Sequence, residues 1–422
     1  MATYASNGQK LSTVAQTNIY TANVTGLKDI RSEGEIKIGS SVVAGVVPAT
    51  VFADSNDQEK PATFNQYVED AFTFSSLIRM ATAAAGTPFL VSAFESGGYT
   101  VATPNDDTTI ATYTNTTTYT LTDTTTTAAG EFRTIELSNG QFLPMLFAVD
   151  GAAGAITGLF ALPSLTAGGK AVKKTWTITP GQPAPVPDAK FLTMVHTDRT
   201  NATSNRAVQG TGCWLASVGD LTVEPGTLPK LELKFSAADL SENAAGIDTL
   251  AAANEFLDAE PVKVTDAPYV LFGTSTPGGN IAATSAVINK ATISFGKTCE
   301  KIDGMGGSTC INNIQGAMGM NSPCAVTLEM ILDSTRISDW DAGTNASKAI
   351  AIIQPSTGVT VPAWSFVVPK AHIMEAVTTD YGSNSVKIIV KYTAIPAGLN
   401  SITTYNAQEN QPWYFGIQDR SA

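Results

Sequence analysis

The sequence predicts a mainly β protein with a flanking α-helix. Short segments recur in which apolar and polar residues alternate, the period-2 pattern of a half-buried strand. Gly and Pro break the chain between them, with 35 Gly and 21 Pro among 422 residues. Thr, Ala, Gly, Ser and Val dominate, and the β-branched members of that set fit a pleated surface.

Along the chain, residues 1–45 are polar apart from short Val-rich pieces such as the one starting at Val42, and suit an N-terminal arm ordered by its neighbours. Thr63 to Ala85 carries Phe64, Tyr67, Val68, Ala71 and Phe72, then Leu77, Ile78 and Ala81, at helical spacing between Pro61 and Gly86-Thr87-Pro88, which predicts the helix. Residues 101–130 are biased to threonine, with Tyr119 and Leu121 alternating with Thr; a linker is one reading, exposed strands in an insertion the other. Lys173 to Thr179 predicts a strand with Trp176 and Ile178 on one face, and the four prolines within residues 180–189 predict a loop there. Leu231, Leu233 and Phe235 alternate with Glu232 and Lys234. Val326, Leu328 and Met330 alternate with Thr327 and Glu329, and Val386 to Tyr392 repeats the pattern. These six apolar residues are the candidate core strands. A second helix is predicted over Ile247 to Leu257, and a short one from Trp340 towards Lys348. A weak internal repeat relates Lys174–Gly181 to Lys290–Gly296 and Val208-Gln209-Gly210 to Ile314-Gln315-Gly316.

Length alone suggests about two or three domains. The net charge is −12 and only 15% of residues are charged against 43% apolar, which argues against disorder and against a passive binder of nucleic-acid phosphates. No uninterrupted apolar stretch approaches the ~20 residues of a membrane helix, and the start Met1-Ala2-Thr3-Tyr4 lacks a secretory signal. A soluble protein made in the cytosol is expected.

The search for chemistry ends without a catalytic, cofactor or metal site. The two histidines, His196 and His372, sit in strand-like runs, and no Gly-x-Ser-x-Gly elbow accompanies His196 and Asp198. Cys213, Cys299, Cys310 and Cys324 form no close pairs of the zinc kind; buried thiols, or one disulfide among the last three, remain. Gly304-Met305-Gly306-Gly307-Ser308-Thr309 lacks the lysine and helix of a phosphate loop. Asn105-Asp106-Asp107 are consecutive, whereas a calcium loop spaces its oxygens alternately. Glu224, Glu232 and Glu329 give no spacing that would support glycoside chemistry. A structural, non-enzymatic protein without cofactors is expected; a decoration protein, adhesin or pilus-like subunit is the alternative within that class.

Leu77-Ile-Arg-Met-Ala-Thr-Ala-Ala-Ala-Gly86 resembles the helix-and-glycine element of the major tail tube proteins of long-tailed bacteriophages. Ala207–Ala216, followed by Leu221-Thr-Val-Glu-Pro-Gly and the strand to Phe235, is similar to their most characteristic stretch. Ser285 to Gly296 resembles the next element, and Val359 to Ala394 the closing hairpins. The resemblance implies a tail-tube β-sandwich or barrel fold, duplicated if the repeat is real. The implied division is an arm at 1–45, a first tube-like domain at 46–245 with a β insertion at about 95–165, a linker with a short helix at 246–284, and a second tube-like half at 285–422. It implies rings of three or six chains that stack into a virion tail, with tape measure and tail terminator or tip proteins as partners, and no membrane. Viral DNA would pass through the lumen unbound. A basic wall would trap DNA and an acidic one repel it, so a net-negative channel is expected, with Glu232 and Glu329 as candidate lumen residues.

Overall fold

A computed structural model of the chain describes residues 9–39, 45–47, 62–64, 67–81, 87–102, 104, 106–114, 117–123, 130–149, 155–162, 168–180, 190–201, 204–242, 258–261, 268–274, 287–303, 311–318, 323–332, 347–357, 361–375, 377–382, 385–396 and 411–419. The described part is mainly β with one helix. In chain order it begins with β1 (Gln9–Gln16), β2 (Lys28–Ile30), β3 (Glu33–Ile38), β4 (Gly45–Val47), β5 (Ala62–Phe64), β6 (Val68–Leu77), β7 (Arg79–Ala81), helix α1 (Phe89–Ser96) and β8 (Thr100–Ala102). There follow β9 (Thr108–Tyr113), β10 (Thr118–Leu121), β11 (Phe132–Glu136), β12 (Gln141–Val149), β13 (Ala155–Gly158) and β14 (Ala171–Lys173). The middle holds β15 (Thr175–Thr179), β16 (Phe191–Asn201), β17 (Ser204–Val218), β18 (Leu221–Val223), β19 (Lys230–Ala237), β20 (Asp239–Glu242), β21 (Asp258–Pro261), β22 (Tyr269–Thr274), β23 (Ile288–Ser294), β24 (Lys297–Asp303) and β25 (Ile311–Met318). The end holds β26 (Ala325–Ile331), β27 (Lys348–Gln354), β28 (Ser356–Thr357), β29 (Trp364–Ile373), β30 (Thr378–Asp380), β31 (Lys387–Ala394) and β32 (Tyr414–Gln418).

Two large sheets share one apolar core. The first runs β2-β1-β16-β17-β19-β6-β3, with β20 and β24 also on β17 and β25 on β24. The second runs β18-β23-β26-β31-β29-β32-β15-β8, with β27 on β29, β22 on β27 and β30 on β31. Leu231, Leu233 and Phe235 from the first sheet and Val326, Leu328 and Met330 from the second are fully buried in the same cluster. Segments 46–245 and 285–422 both feed this core. Between the sheets lies α1, whose Phe89 packs on Phe74 and Phe235 (ring centroids 5.9 and 6.2 Å) and whose Phe94 packs on Phe295 and Phe415 (5.6 and 6.0 Å). Pro88 sets the helix start, and the backbone N–H groups of Gly97, Gly98 and Tyr99 close its last turn.

No described residue of the segment 63–85, predicted as a helix, is helical, and all but Tyr67 and Ile78 lie in strands. Pairing of β19 with β6 sets Phe235 opposite Phe72 but Ala237 opposite Val68, so β6 carries two extra residues there. The bulge exposes Glu69 and Asp70, with Asp70 at φ 48°. It puts Val68, Ala71 and Phe72 at a spacing that imitates a helix; beyond it Phe72 and Phe74 alternate as a strand should. The tail-tube-like helix at Leu77–Gly86 is corrected likewise, since Arg79–Ala81 is β7. The helix expected over 247–257 lies outside the described residues, as does that from Trp340, whose far end at Lys348 opens β27. The expected N-terminal arm is, from Gln9 onward, part of the chain's own first sheet: β1 pairs with β16 over eight residues and buries Leu11.

Residues 108–173 form a separate unit. β11, β14, β9, β10, β13 and β12 pair in that order and β12 pairs back to β11, which closes an antiparallel six-stranded barrel. The threonine-rich segment supplies β9 and β10, where Tyr119 and Leu121 point into the barrel core and Tyr113 stacks on Tyr119 at 5.8 Å. Arg133 is buried on the same barrel face as Met145, its register partner, and donates to the carbonyl of Asp106 at 2.8 Å. Burial holds its pKa below the ordinary value, and the carboxylates of Glu131, Asp123, Asp106 and Asp107 oppose that shift.

The barrel rests on the outer face of the second sheet. Ile350, Ile352, Phe366 and Phe415 join the core between the sheets, while Ala349, Ala351, Ile353, Val367 and Tyr414 join the barrel core. Strands buried on both faces read as continuous apolar runs rather than alternating ones. Gly416 permits the contact: a Cβ there would lie 2.5 Å from the Phe132 ring.

Candidate assembly surface

The site is built from sheet edges, because β17 gathers so many strands. At 15 residues it is about 50 Å long. Val208 pairs with both His196 of β16 and Glu242 of β20, which therefore flank it on opposite sides. Ser217 pairs with both Lys234 of β19 and Thr298 of β24, again on opposite sides. Only Ala238 separates β19 from β20, so those two follow one side of β17, and β16 and β24 lie end to end along the other. Two hairpins, β16–β17 and β24–β25, thus belong to one sheet.

The strand β17 is held by its neighbours at Gly212 (φ 60°), where a Cβ would lie 2.2 Å from the carbonyl of Ile19. The Gln16 side-chain oxygen accepts from Gly212 N at 3.1 Å and from Thr193 Oγ1 at 2.7 Å. This buried knot ties β1 and the turn after it across β16 and β17.

The edges differ in how well they are blunted against pairing with another chain. β2, β8, β18 and β30 are three residues each. β3 carries Glu33, Glu35 and Lys37, and Arg79 bonds Glu33 at 2.7 Å. β22 lies against the barrel, where Tyr269 donates to Gln141 at 3.3 Å. By contrast β25 reads Ile-Asn-Asn-Ile-Gln-Gly-Ala-Met, eight residues without a charge, and among the described residues it pairs with β24 alone.

The wet faces carry balanced charge. Glu232 is half-exposed on the first sheet, 3.7 Å from Lys234. Glu329 lies on the second sheet, 2.5 Å from Lys387, whose pKa that bond raises. Beside it Lys290 meets Glu224 at 2.6 Å and Lys391 meets Glu375 at 2.5 Å. The two candidate lumen acids thus sit on the wet faces of different sheets, each with a lysine partner, and the structure does not bring them together.

Other residues weighed for chemistry have structural surroundings. His196 is buried in β16 and His372 lies in β29. Asp107 bonds Lys173 at 3.0 Å and the backbone of Lys174 at 2.9 Å, and Lys174 lies 3.6 Å from Asp106, so this acidic run fastens the barrel's two connections. Cys213 and Cys324 are free, buried thiols whose pKa values desolvation raises, which keeps them protonated and inert. The side chains of Cys299 and Cys310, the loop 304–309 and residues 181–189 lie outside the described residues. Among the described residues no three of His, Cys, Asp and Glu are grouped to hold a metal ion, and no helix is long and apolar enough to cross a membrane.

No protein-family model matches this sequence, and no curated protein matches it.

What sequence reasoning missed is the barrel's closure and the role of β17. Its 15 residues read as ordinary strand, and nothing in their pattern says that four partners share them.

Proposed function

We propose that this chain is a tail tube subunit of a long-tailed phage, a structural virion protein that polymerises into stacked rings around a channel for DNA. The observation that carries the proposal is the first sheet: two hairpins meet on one strand, and among the described residues no strand pairs beyond β25 on one side of it or beyond β20 on the other. A sheet in that condition buries its backbone groups only by joining further strands, and a ring of copies supplies them. The single core shared by both halves of the chain supports one tube unit per chain and hence six chains per ring, rather than three chains of two units. In such a ring the barrel, fused to the second sheet, stands away from the first. Tape measure and terminator proteins would meet the tube at its ends. Balanced charge around Glu232 and Glu329 means that a net-negative lumen would have to draw on other acids among the 37 in the chain.

The inserted barrel favours a second reading, a decoration or adhesin-like virion protein, because a compact β module on a β support also suits display. Negative-stain microscopy of the purified protein separates the two: hollow tubes or stacked rings support the tube subunit, and compact spikes support the alternative.

A further inference from the structure

We infer that β25 is the lateral joint of the assembly, pairing strand to strand with the β20 edge of a second copy of this chain. This rests on the tube reading above and says which edges meet. Every other described edge is short, charged, or set against the barrel; β20 is four residues long and carries Asp239 and Glu242. β25 is the long, uncharged edge, about 26 Å of backbone with donors and acceptors facing away from β24.

Its partner follows from the two sides of β17. β25 lies on the side of β24, reached at Ser217, and β20 lies on the opposite side, at Val208–Thr211. One copy therefore offers different edges to its two neighbours. Such a head-to-tail contact closes into a ring when the rotation closes, whereas β25 against β25 would stop at a two-fold dimer. The two edges are also staggered along β17 by six to nine residues, roughly 20–30 Å. Joining staggered edges tilts the strands to the ring axis, as closure of a sheet requires. β20 covers only half of β25; the remainder would extend past it beside the neighbour's hairpin β16–β17.

The test compares hydrogen exchange of wild-type tubes with that of the same protein dispersed. Alternate amides of Ile311–Met318 and amides of Asp239–Glu242 should gain protection together on assembly. Tubes that form without protection at β25 overturn the joint and leave the tube reading standing. Protection at β25 in a two-fold dimer, with β20 unchanged, overturns it as well. Failure of wild-type protein to form tubes sinks the tube reading itself. Ile314→Pro and Gln315→Pro, beyond the bulge at Asn312, add an independent check. Neighbouring N–H groups point to opposite sides of a strand, so one variant loses a bond to β24 and the other only an outward donor. The second should fold with an unchanged melting temperature and lose assembly; tubes from both variants would contradict the inference.

Discussion

Adding one methyl group at Gly416 tests whether barrel and sandwich are one packed body. In Gly416→Ala the new Cβ would lie 2.5, 2.7 and 2.8 Å from three atoms of the Phe132 ring, closer than real contacts allow. The ring cannot step aside, because Phe132 is 2% exposed and the barrel core surrounds it. Overpacking of this kind costs about 1–3 kcal/mol. Replacing a strand glycine by alanine returns about 0.5–1 kcal/mol, which leaves a net loss of roughly 0–2.5 kcal/mol. Phe132→Ala should cost about 3–5 kcal/mol as a cavity, and in that background the Gly416→Ala penalty should vanish or reverse. Urea unfolding of the four proteins, read as midpoint shifts at constant slope, gives the coupling. A value of about 0.5–3 kcal/mol is expected for residues in contact. Additivity within about 0.5 kcal/mol would refute the shared packing and make the barrel a tethered appendage.

Further outcomes follow from the same structure. Leu233→Asp places an unpaired carboxylate in the centre of the core, a cost of several kcal/mol, and should yield insoluble or unfolded protein; normal folding and assembly would show that the β19 register is wrong. At Glu136, burial raises the pKa, but the bonds from Ala171 N and Lys170 outweigh it and leave the value below the ordinary 4.5. A depressed carboxylate pKa adds stability that is present above 4.5 and lost as pH falls through the folded value. Glu136→Gln should therefore flatten the acid limb of the stability profile, and an unchanged limb would contradict the assignment. A reconstruction of assembled rings should show true sixfold symmetry; threefold symmetry would return the internal repeat to its reading as a domain duplication.

Much of the strand pattern was legible because alternation survives wherever a strand has one wet face. β19, β26 and β31 are such strands, and Leu231, Leu233, Phe235, Val326, Leu328 and Met330 lie in the core as their pattern requires. Where that condition failed, so did the reading. The bulge at Glu69–Asp70 gave β6 a helical spacing. The true helix, Phe89–Ser96, is eight residues of apolar sequence whose only marks are Pro88 before it and Gly97-Gly98 after it. β27 and β32 are buried on both faces because the barrel covers one of them, so neither alternates. The joining of β12 to β11, which closes the barrel, is a long-range register that no local pattern encodes. Glu232 and Glu329 each lie near a lysine, and the partner of Glu329, Lys387, is 58 residues away in sequence, where no local pattern points to it.

The central claim is that copies of this chain close into rings that stack as a tube. Electron microscopy of the purified full-length protein, with averaging of end-on and side views, tests it directly. Hollow cylinders of regular axial repeat are expected, with barrels on the outside and a channel along the axis. Dispersed single chains at high concentration, or compact spikes without a channel, would contradict it.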